Sequence, residues 1–556
     1  MTSPFTANPS PFEAGHLLRS RARDCRSQPP SALHHATLWR CLLAVLAGVA
    51  TGLGQAPVGW WPLVIPGVAG LTLLVRRARP RAALGLGYLY GLGLFTSTIW
   101  WVYVVAWPAA VALIAFMACW PMVTGWGIRT VQRLPLAPLW AACIWSAAEV
   151  GAARVPIGGF GWVRLAWTAV DTPVAGTFRW IGATGVSLLI ALAGQLLAAA
   201  IGPRPGRSRV AGGRVGLRPG PGLSLVALLL VACLVGEWTT AWVDRQVSRQ
   251  TTGPRVMVIQ GGVDGTAGSY AMGYARSVTE NHLSQTIAAI AAQRAGGGAA
   301  PQMVLWPENS TDIDPVADDE TRSLVTTATQ IAELPILVGA VTEGPGPDER
   351  QTTAMWWPQG AQKPSSVYHK RNLVPFGEWI PWRSTLLPIL PVLEHVGRQS
   401  VPGTTPGIID ARINGRQLPV GVVICFELAY DGTVYDTVRS GAQLLMVQSN
   451  NATYTHTAQP YQQWQITRAR AIETGRQITV STTSSLSGLI EPSGAVRDRT
   501  TEASHDWRMY TLSIGSGVSA GVRTSPVIAW VSVAIAVITV LLGVAGSRRG
   551  RPGTAA

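Results

Sequence analysis

Apolar runs and mixed polar stretches divide this chain into two kinds of sequence. Residues 1–245 and 525–546 are dominated by long apolar runs, whereas 246–524 alternates apolar and polar positions as a water-soluble domain does. Seven candidate spans precede the soluble block, at roughly 38–54, 59–75, 83–106, 108–126, 136–151, 181–201 and 222–242. An eighth, 526–546, follows it. About 20 apolar residues cross a bilayer as a helix, so the first, second and fifth runs are short. The pattern predicts a polytopic α-helical membrane domain of about eight spans. No small-residue cleavage site follows the first run, which argues against a removed signal peptide.

Within 246–524, short runs rich in β-branched residues alternate with stretches of helical period. Strands are expected at Arg255–Gln260, Gln302–Trp306, Pro335–Val341, Thr353–Trp357, Val420–Cys425, Leu444–Gln448, Gln477–Ser481 and Met509–Ile514. Helices fit 274–294, 319–332, 428–439 and 459–474. This is an α/β domain with sheets covered by helices, in which chemistry gathers at strand ends.

Charge tests the span map independently. Nineteen arginines lie in alternate connections: 19, 21, 23, 26 and 40; 76, 77, 79 and 81; 129 and 133; 204, 207, 209, 214 and 218; 548, 549 and 551. Only Glu13 and Asp24 oppose them there, so the rest of the chain carries −2 of the net +15. Such alternation places both termini in the cytoplasm and 246–524 outside. It also speaks against nucleic acid as a partner, because the basic charge is spread over short membrane-flanking loops. The expected organisation is a disordered cytoplasmic tail at 1–37, a membrane domain at 38–245, an extracytoplasmic catalytic domain at 246–524, a last span at 525–546 and a cytoplasmic tail at 547–556. Nothing requires more than a monomer.

Cysteine and lysine usage narrow the chemistry. Of six cysteines, only Cys425 lies in the soluble block, which excludes a disulfide or a cysteine-based zinc site there; no metal or other cofactor is expected. The chain holds two lysines against 42 arginines. Lys363 sits in a polar turn, whereas Lys370 lies inside Val367-Tyr368-His369-Lys370-Arg371-Asn372-Leu373-Val374-Pro375-Phe376-Gly377-Glu378-Trp379. Codon bias explains scarcity, but a lysine that survives it can supply a compact charge that guanidinium cannot.

Three segments place reactive residues at strand ends: Met303-Val304-Leu305-Trp306-Pro307-Glu308, the Lys370 segment, and Val420-Gly421-Val422-Val423-Ile424-Cys425-Phe426-Glu427. Each residue has a bland alternative. The cysteine could be a small core residue, the glutamate a helix cap and the lysine a solvated charge. Together they are a carboxylate base, an ammonium and a thiol, the parts needed for acyl transfer through a thioester. A helix starting near Leu428 would favour a thiolate at Cys425. Cys–His catalysis with His369, His395 or His456 is the competing arrangement.

These segments, together with Gly91–Phe95, Trp100–Tyr103, Trp145…Glu149…Arg154, Gly159–Trp162, Ser449–Ala452 and Arg468–Arg476, resemble the apolipoprotein N-acyltransferase family of the nitrilase superfamily from about residue 40 to 546. The resemblance implies an α-β-β-α sandwich and a Glu308–Lys370–Cys425 triad. It implies an acyl chain taken from a membrane phospholipid onto Cys425 and passed to the amino group of a diacylglyceryl-cysteine apolipoprotein, with the bilayer as a further partner. Phe426 would supply an oxyanion-holding N–H, Glu378 would orient Lys370, and Glu427 would stand behind them or form a structural ion pair. Phe376, Trp379, Trp382 and Tyr454 are candidates for a substrate lid, and the apolar run 379–393 for a flap that reaches the bilayer or packs on the domain's own core. The chain departs from the family pattern at Phe426, often tyrosine there. Tyr270 is the nearest aromatic where a tryptophan is usual, and Thr453 displaces an aromatic to Tyr454. A membrane-anchored amidase and an inactive lipoprotein-binding protein are the rival readings.

Overall fold

The computed structural model describes residues 30–201, 219–247, 251–265 and 276–549. Cys25, Tyr270, most of both tails and the side chain of His395 lie outside the described residues. The apolar runs fold as α1 (Pro30–Gly52), α2 (Val64–Val75), α3 (Pro80–Ile99), α4 (Trp107–Met117), α5 (Cys119–Val131), α6 (Ala137–Ala152), α7 (Phe178–Ile201) and α8 (Pro219–Val247). Helix α1 begins inside the segment expected to be a tail. Six described segments are long and apolar enough to cross a membrane: His35–Gly52, Pro80–Val104, Trp107–Val131, Ala175–Ile201, Pro219–Gln246 and Ala520–Ser547. The second and fifth candidates form the shorter helices Trp61–Val75 and α6, which has 16 residues.

Small residues let these helices approach closely. A Cβ on Gly93 of α3 would stand 2.2 Å from the Val45 carbonyl of α1, so only glycine fits there. At the opposite ends from the soluble domain, Arg40 donates to the Leu74 carbonyl at 2.9 Å and Arg129 to the Ala78 carbonyl at 2.7 Å. These arginines meet the negative ends of neighbouring helices.

The soluble block is built on two sheets. The first contains β1 (Thr252–Gln260), β2 (Met303–Leu305), β3 (Ile336–Glu343), β4 (Glu349–Trp357), β5 (Ser366–His369) and β6 (Gln399–Ser400). The second contains β7 (Ile408–Ile413), β8 (Arg416–Ile424), β9 (Leu444–Ser449), β10 (Ile478–Thr482), β11 (Gly488–Ile490) and β12 (Val496–Arg499); β13 (Asp506–Ser513) returns to the first. The orders are β13-β1-β2-β3-β4-β5, with β6 on β4, and β12-β11-β10-β9-β8-β7. Helices α9 (Ser277–Gly296) and α10 (Asp319–Ala332), the one-turn α11 (Arg383–Leu386), α12 (Asp431–Arg439), α13 (Gln459–Thr474) and the closing α14 (Ala520–Arg549) complete the chain. All eight expected strands are present; β5, β6, β7, β11 and β12 were not expected.

Period-two alternation sorts side chains into layers. Met303 and Leu305 of β2 meet Val420, Val422 and Ile424 of β8 between the sheets, while Val304 and Trp306 pack under α9 and α10. The outer side of the second sheet has no solvent layer of its own. Val423, Trp464 and Ile466 join one continuous core with Trp101, Trp162 and Trp167 of the membrane part.

A polar knot locks this junction. Gln462 of α13 accepts the indole N–H groups of Trp101 at 2.9 Å and Trp162 at 2.8 Å, and donates to the carbonyls of Ala56 at 3.1 Å and Thr98 at 2.8 Å. Every hydrogen-bonding position of that amide is filled. Gln462→Leu would strand four buried groups at about 1–3 kcal/mol each. We expect the purified protein to lose several degrees of thermal stability by tryptophan fluorescence; an unchanged transition would contradict the knot's role.

Candidate active site

The local fold brings the three reactive segments together at the ends of their strands. Chain β2 stops at Pro307, and Glu308 follows beneath β3, where a Cβ on Gly339 would meet the Pro307 carbonyl at 2.1 Å. Lys370 follows β5, its N–H donating to the Thr352 carbonyl and its carbonyl accepting from Gly403, both at 2.8 Å. Cys425 follows β8 with φ of 51°. That left-handed conformation is rare for a residue with a side chain and costs energy.

Lys370 is the centre of the arrangement. It is 2% exposed, and its ammonium donates to Glu308 Oε1 at 2.8 Å and to Glu378 Oε1 at 3.1 Å. Glu308 Oε2 accepts the Asn450 N–H at 2.8 Å, while Glu378 accepts from Thr352 Oγ1 at 3.2 Å and from the Val374 N–H at 2.7 Å. Burial acts to lower the lysine, but the carboxylates of Glu308 and Glu378 outweigh it and hold the ammonium well above the ordinary range. Two carboxylates share one cation, so a proton is held more tightly on the acid side of the cluster. Burial raises Glu308 above its usual value of 4.5; Lys370 counters part of this and Glu378 adds to it.

The Cys425 thiol has Glu308 as its side-chain partner. Burial and then the Glu308 charge push it far above 9.0, with Lys370 opposing. The expectation of a helix-stabilised thiolate is therefore overturned. Residues Cys425–Ala429 form a single 3₁₀ turn, and the α-helix expected from 428 starts only at Asp431. A turn that short has little dipole to offset the neighbouring carboxylate. Burial and the neighbouring carboxylate both favour the protonated sulfur. The Cys–His arrangement also loses support, since His369 Nδ1 bonds Thr353 at 2.9 Å and His456 pairs with Glu502 at 3.7 Å.

Phe426 lies in the first turn after the nucleophile, where N–H groups lack an intrahelical acceptor. Glu427 is structural in its contacts. Its Oε1 accepts from Tyr368 at 2.7 Å and from the N–H groups of Arg371 at 2.6 Å and Asn372 at 3.3 Å, and its Oε2 accepts the Ile424 N–H at 2.8 Å. It ties the lysine segment to the cysteine strand and forms no ion pair among the described residues.

Of the lid candidates, Tyr454 packs against the aromatic rings beside the site, and burial pushes its phenol up to about 12. Phe376 and Trp382 are exposed, as are Ile389 and Leu390, while Ile380 anchors the flap by burial. Trp379 is half-buried and accepts the Phe376 N–H on its carbonyl at 2.7 Å. The flap therefore presents apolar side chains outward, in place of packing wholly on the domain's core.

An aromatic wall was not expected. Trp162 and Phe160 face Phe426 at 5.8 Å between ring centres, and Trp101 meets Tyr454 edge-on at 5.2 Å. Membrane-part residues thus flank the nucleophile turn. Their motifs stood out in the sequence, but no spacing tied them to Cys425.

The sequence profile of the apolipoprotein N-acyltransferase N-terminal domain matches residues 47–196, and that of carbon-nitrogen hydrolase matches 267–494. An apolipoprotein N-acyltransferase of Mycolicibacterium smegmatis is 31% identical over 92% of this chain and 86% of its own length. The chain belongs to the apolipoprotein N-acyltransferase family. A Vibrio vulnificus apolipoprotein N-acyltransferase is 27% identical, covering 83% of this chain and 88% of that one. Among solved structures, a mutant amidase from Nesterenkonia of the nitrilase superfamily is 16% identical, with 47% of this chain and 91% of that one covered, at a TM-score of 0.34.

If Glu308 is the base that this geometry offers, its raised proton affinity sets the acid limb. The carboxylate is lost as pH falls through a value above 4.5, so acyl loading should decline from the acid side with a midpoint above that. A pH–rate profile with its limb at or below the ordinary glutamate value would remove Glu308 from that role.

Proposed function

We propose that this chain moves an acyl chain from a membrane phospholipid, through a thioester on Cys425, to the N-terminal amine of a diacylglyceryl-cysteine apolipoprotein. The observation that carries the reading is the cluster of buried Glu308 and Lys370 with half-buried Cys425, set against aromatic rings from the membrane part. Glu308 takes the thiol proton as sulfur attacks the ester carbonyl. The oxyanion forms beside the Lys370 ammonium and the Phe426 N–H. Collapse expels the lysophospholipid, whose oxygen recovers the proton from Glu308. The acceptor amine then attacks the thioester, Glu308 receives an amine proton, and the leaving sulfur takes it back as the amide forms. The thioester stores the reactivity of the ester, so no nucleotide is consumed.

The domain limits given above and an eight-span topology belong to the same proposal. Helices α1 to α8 alternate in direction, with α4 and α5 together as one crossing, and α2 and α6 cross as short members packed inside the bundle. The alternation of arginine-rich connections along the sequence supports an extracytoplasmic placement in a bacterial cell membrane. Exposed Trp60, Trp100, Trp107 and Trp238 sit at the helix ends nearer that domain, as tryptophans at a membrane interface do.

Purified protein given labelled phospholipid should accumulate a hydroxylamine-sensitive acyl adduct, absent in Cys425→Ala and Cys425→Ser. Its absence from the wild type would sink the thioester route. Adding a diacylated lipopeptide should yield an amide-linked acyl product; free fatty acid instead would favour an amidase-like hydrolase. Lys370→Arg should be nearly inactive, because guanidinium cannot take the compact place between two carboxylates. A reporter fused after Arg249 should appear outside the cell, and a cytoplasmic signal there would overturn the topology.

A further inference from the structure

A second cleft opens beside the reactive cluster and differs from it in chemistry. Gly262, Ala452, Thr455, Ser484, Ala503 and His505 line a cleft of about 380 Å³, within the size range of ligand clefts. In the sheets, β1 lies next to β2, which leads to Glu308, and β10 lies two strands from β8, which leads to Cys425. Neighbouring strands are about 4.8 Å apart, so the cleft begins on the order of 10 Å from the thiol. The loop 450–457 is a shared wall. Its Asn450 N–H holds Glu308, while Ala452 and Thr455 face the cleft.

The lining is small and polar. Among the described residues it contains no Asp, Glu, Lys or Arg, and its rings are the two histidines 456 and 505. Ser484 is 4% exposed, yet its hydroxyl has no hydrogen-bond partner among the described residues. Buried polar groups of that kind are normally satisfied, so an unpaired hydroxyl on a cleft wall points to something that binds there.

We infer that this cleft receives the polypeptide that follows the lipidated cysteine of the acceptor. The inference rests on the acyl-transfer reading. In that reaction the donor chains and the acceptor's diacylglyceryl group suit the aromatic side, where Trp101, Phe160 and Trp162 stand. The acceptor's peptide cannot follow them, because backbone N–H and C=O groups find no partners in hydrocarbon. A polar cleft on the other side of the 450–457 loop gives the peptide a separate exit. Its small side chains admit a backbone of any sequence, with Ser484 offering one hydrogen bond.

The test uses full-length protein in detergent and two acceptors, S-diacylglyceryl-cysteine amide and the same group bearing a short Ser/Gly/Asn peptide. Ala503 is exposed at the rim and already takes φ of 54°, so an unbranched replacement adds bulk with little new strain. Ala503→Trp should lower kcat/KM for the peptide-bearing acceptor about tenfold and for the amide by less than about twofold. Ser484→Ala should raise KM for the peptide-bearing acceptor alone, by a few-fold. Equal losses on both acceptors, or none on the longer one, would overturn the cleft assignment. Acyl-adduct formation from phospholipid shows that each variant is folded. A wild type that forms no adduct would sink the acyl-transfer reading itself, whereas one that loads normally and ignores the peptide would sink only the cleft.

Discussion

An ammonium cannot be buried alone: transfer into a protein interior costs several kcal/mol per ion, and an isolated lysine loses its proton instead. Lys370 keeps its charge because Glu308 and Glu378 bracket it. Burial raises the proton affinity of Glu308 and of the Cys425 thiol, and the one carboxylate in excess of cation adds to both. Much of the surrounding architecture serves this balance. Gly339 allows the Glu308 loop to lie against β3, Asn450 donates to the second oxygen of Glu308, and Thr352 with Val374 fixes Glu378. Losing any of these would leave a buried charge with too few partners.

The junction between the two parts uses the same physics on a larger scale. Arg470 is fully buried, yet donates to Asp431 at 2.7 Å, to Glu473 at 2.5 Å and to the Leu428 carbonyl at 2.9 Å. Asp431 also accepts from Arg164 at 2.8 Å. The two guanidiniums lie at 5.0 and 5.1 Å from the Trp167 ring, a placement that rewards desolvated cations. Leu428 and Asp431 flank the end of the nucleophile turn, so membrane-part contacts bear directly on where that turn sits. Gln462 does the same for Trp101 and Trp162, which form the aromatic wall.

Local chemistry in the sequence made Glu308, Lys370 and Cys425 legible, because each is an unusual side chain at a strand end. Long apolar periodicity made the membrane helices legible too, apart from the early start of α1. What stayed hidden depended on distant partners. Glu427 read as a helper or an ion pair, but its acceptors serve backbone N–H groups of residues 371, 372 and 424, which carry no side-chain signal. Gln462 looked like one polar residue among many in α13, and its partners lie more than 300 positions away or nearly so. Most of the missed strands were short or polar: β12 is exposed along its length, and β6 has two residues; β7 is neither, with Ile409, Ala411 and Ile413 buried. The thiolate expectation failed because a helix was credited with polarity that one 3₁₀ turn lacks.

The conformation of Cys425 draws these threads together. A residue continuing β8 in extended geometry would point its side chain to one face of the sheet, into a packed layer. The positive φ breaks that register and turns the thiol toward Glu308 and Lys370. Strain of this kind persists only where the surroundings over-determine it. Here the Glu427 bonds on one side and the Arg470 bond to Leu428 on the other clamp the turn at both ends. The neutral state of the thiol has its own value in the proposed setting. A thiolate facing an oxidising compartment would be open to oxidation, because susceptibility follows thiolate character and exposure. Keeping the proton on sulfur until an ester carbonyl arrives beside Lys370 protects the nucleophile between turnovers. In the proposed mechanism the carboxylate that disfavours the thiolate is also the base that removes the proton when the oxyanion can form.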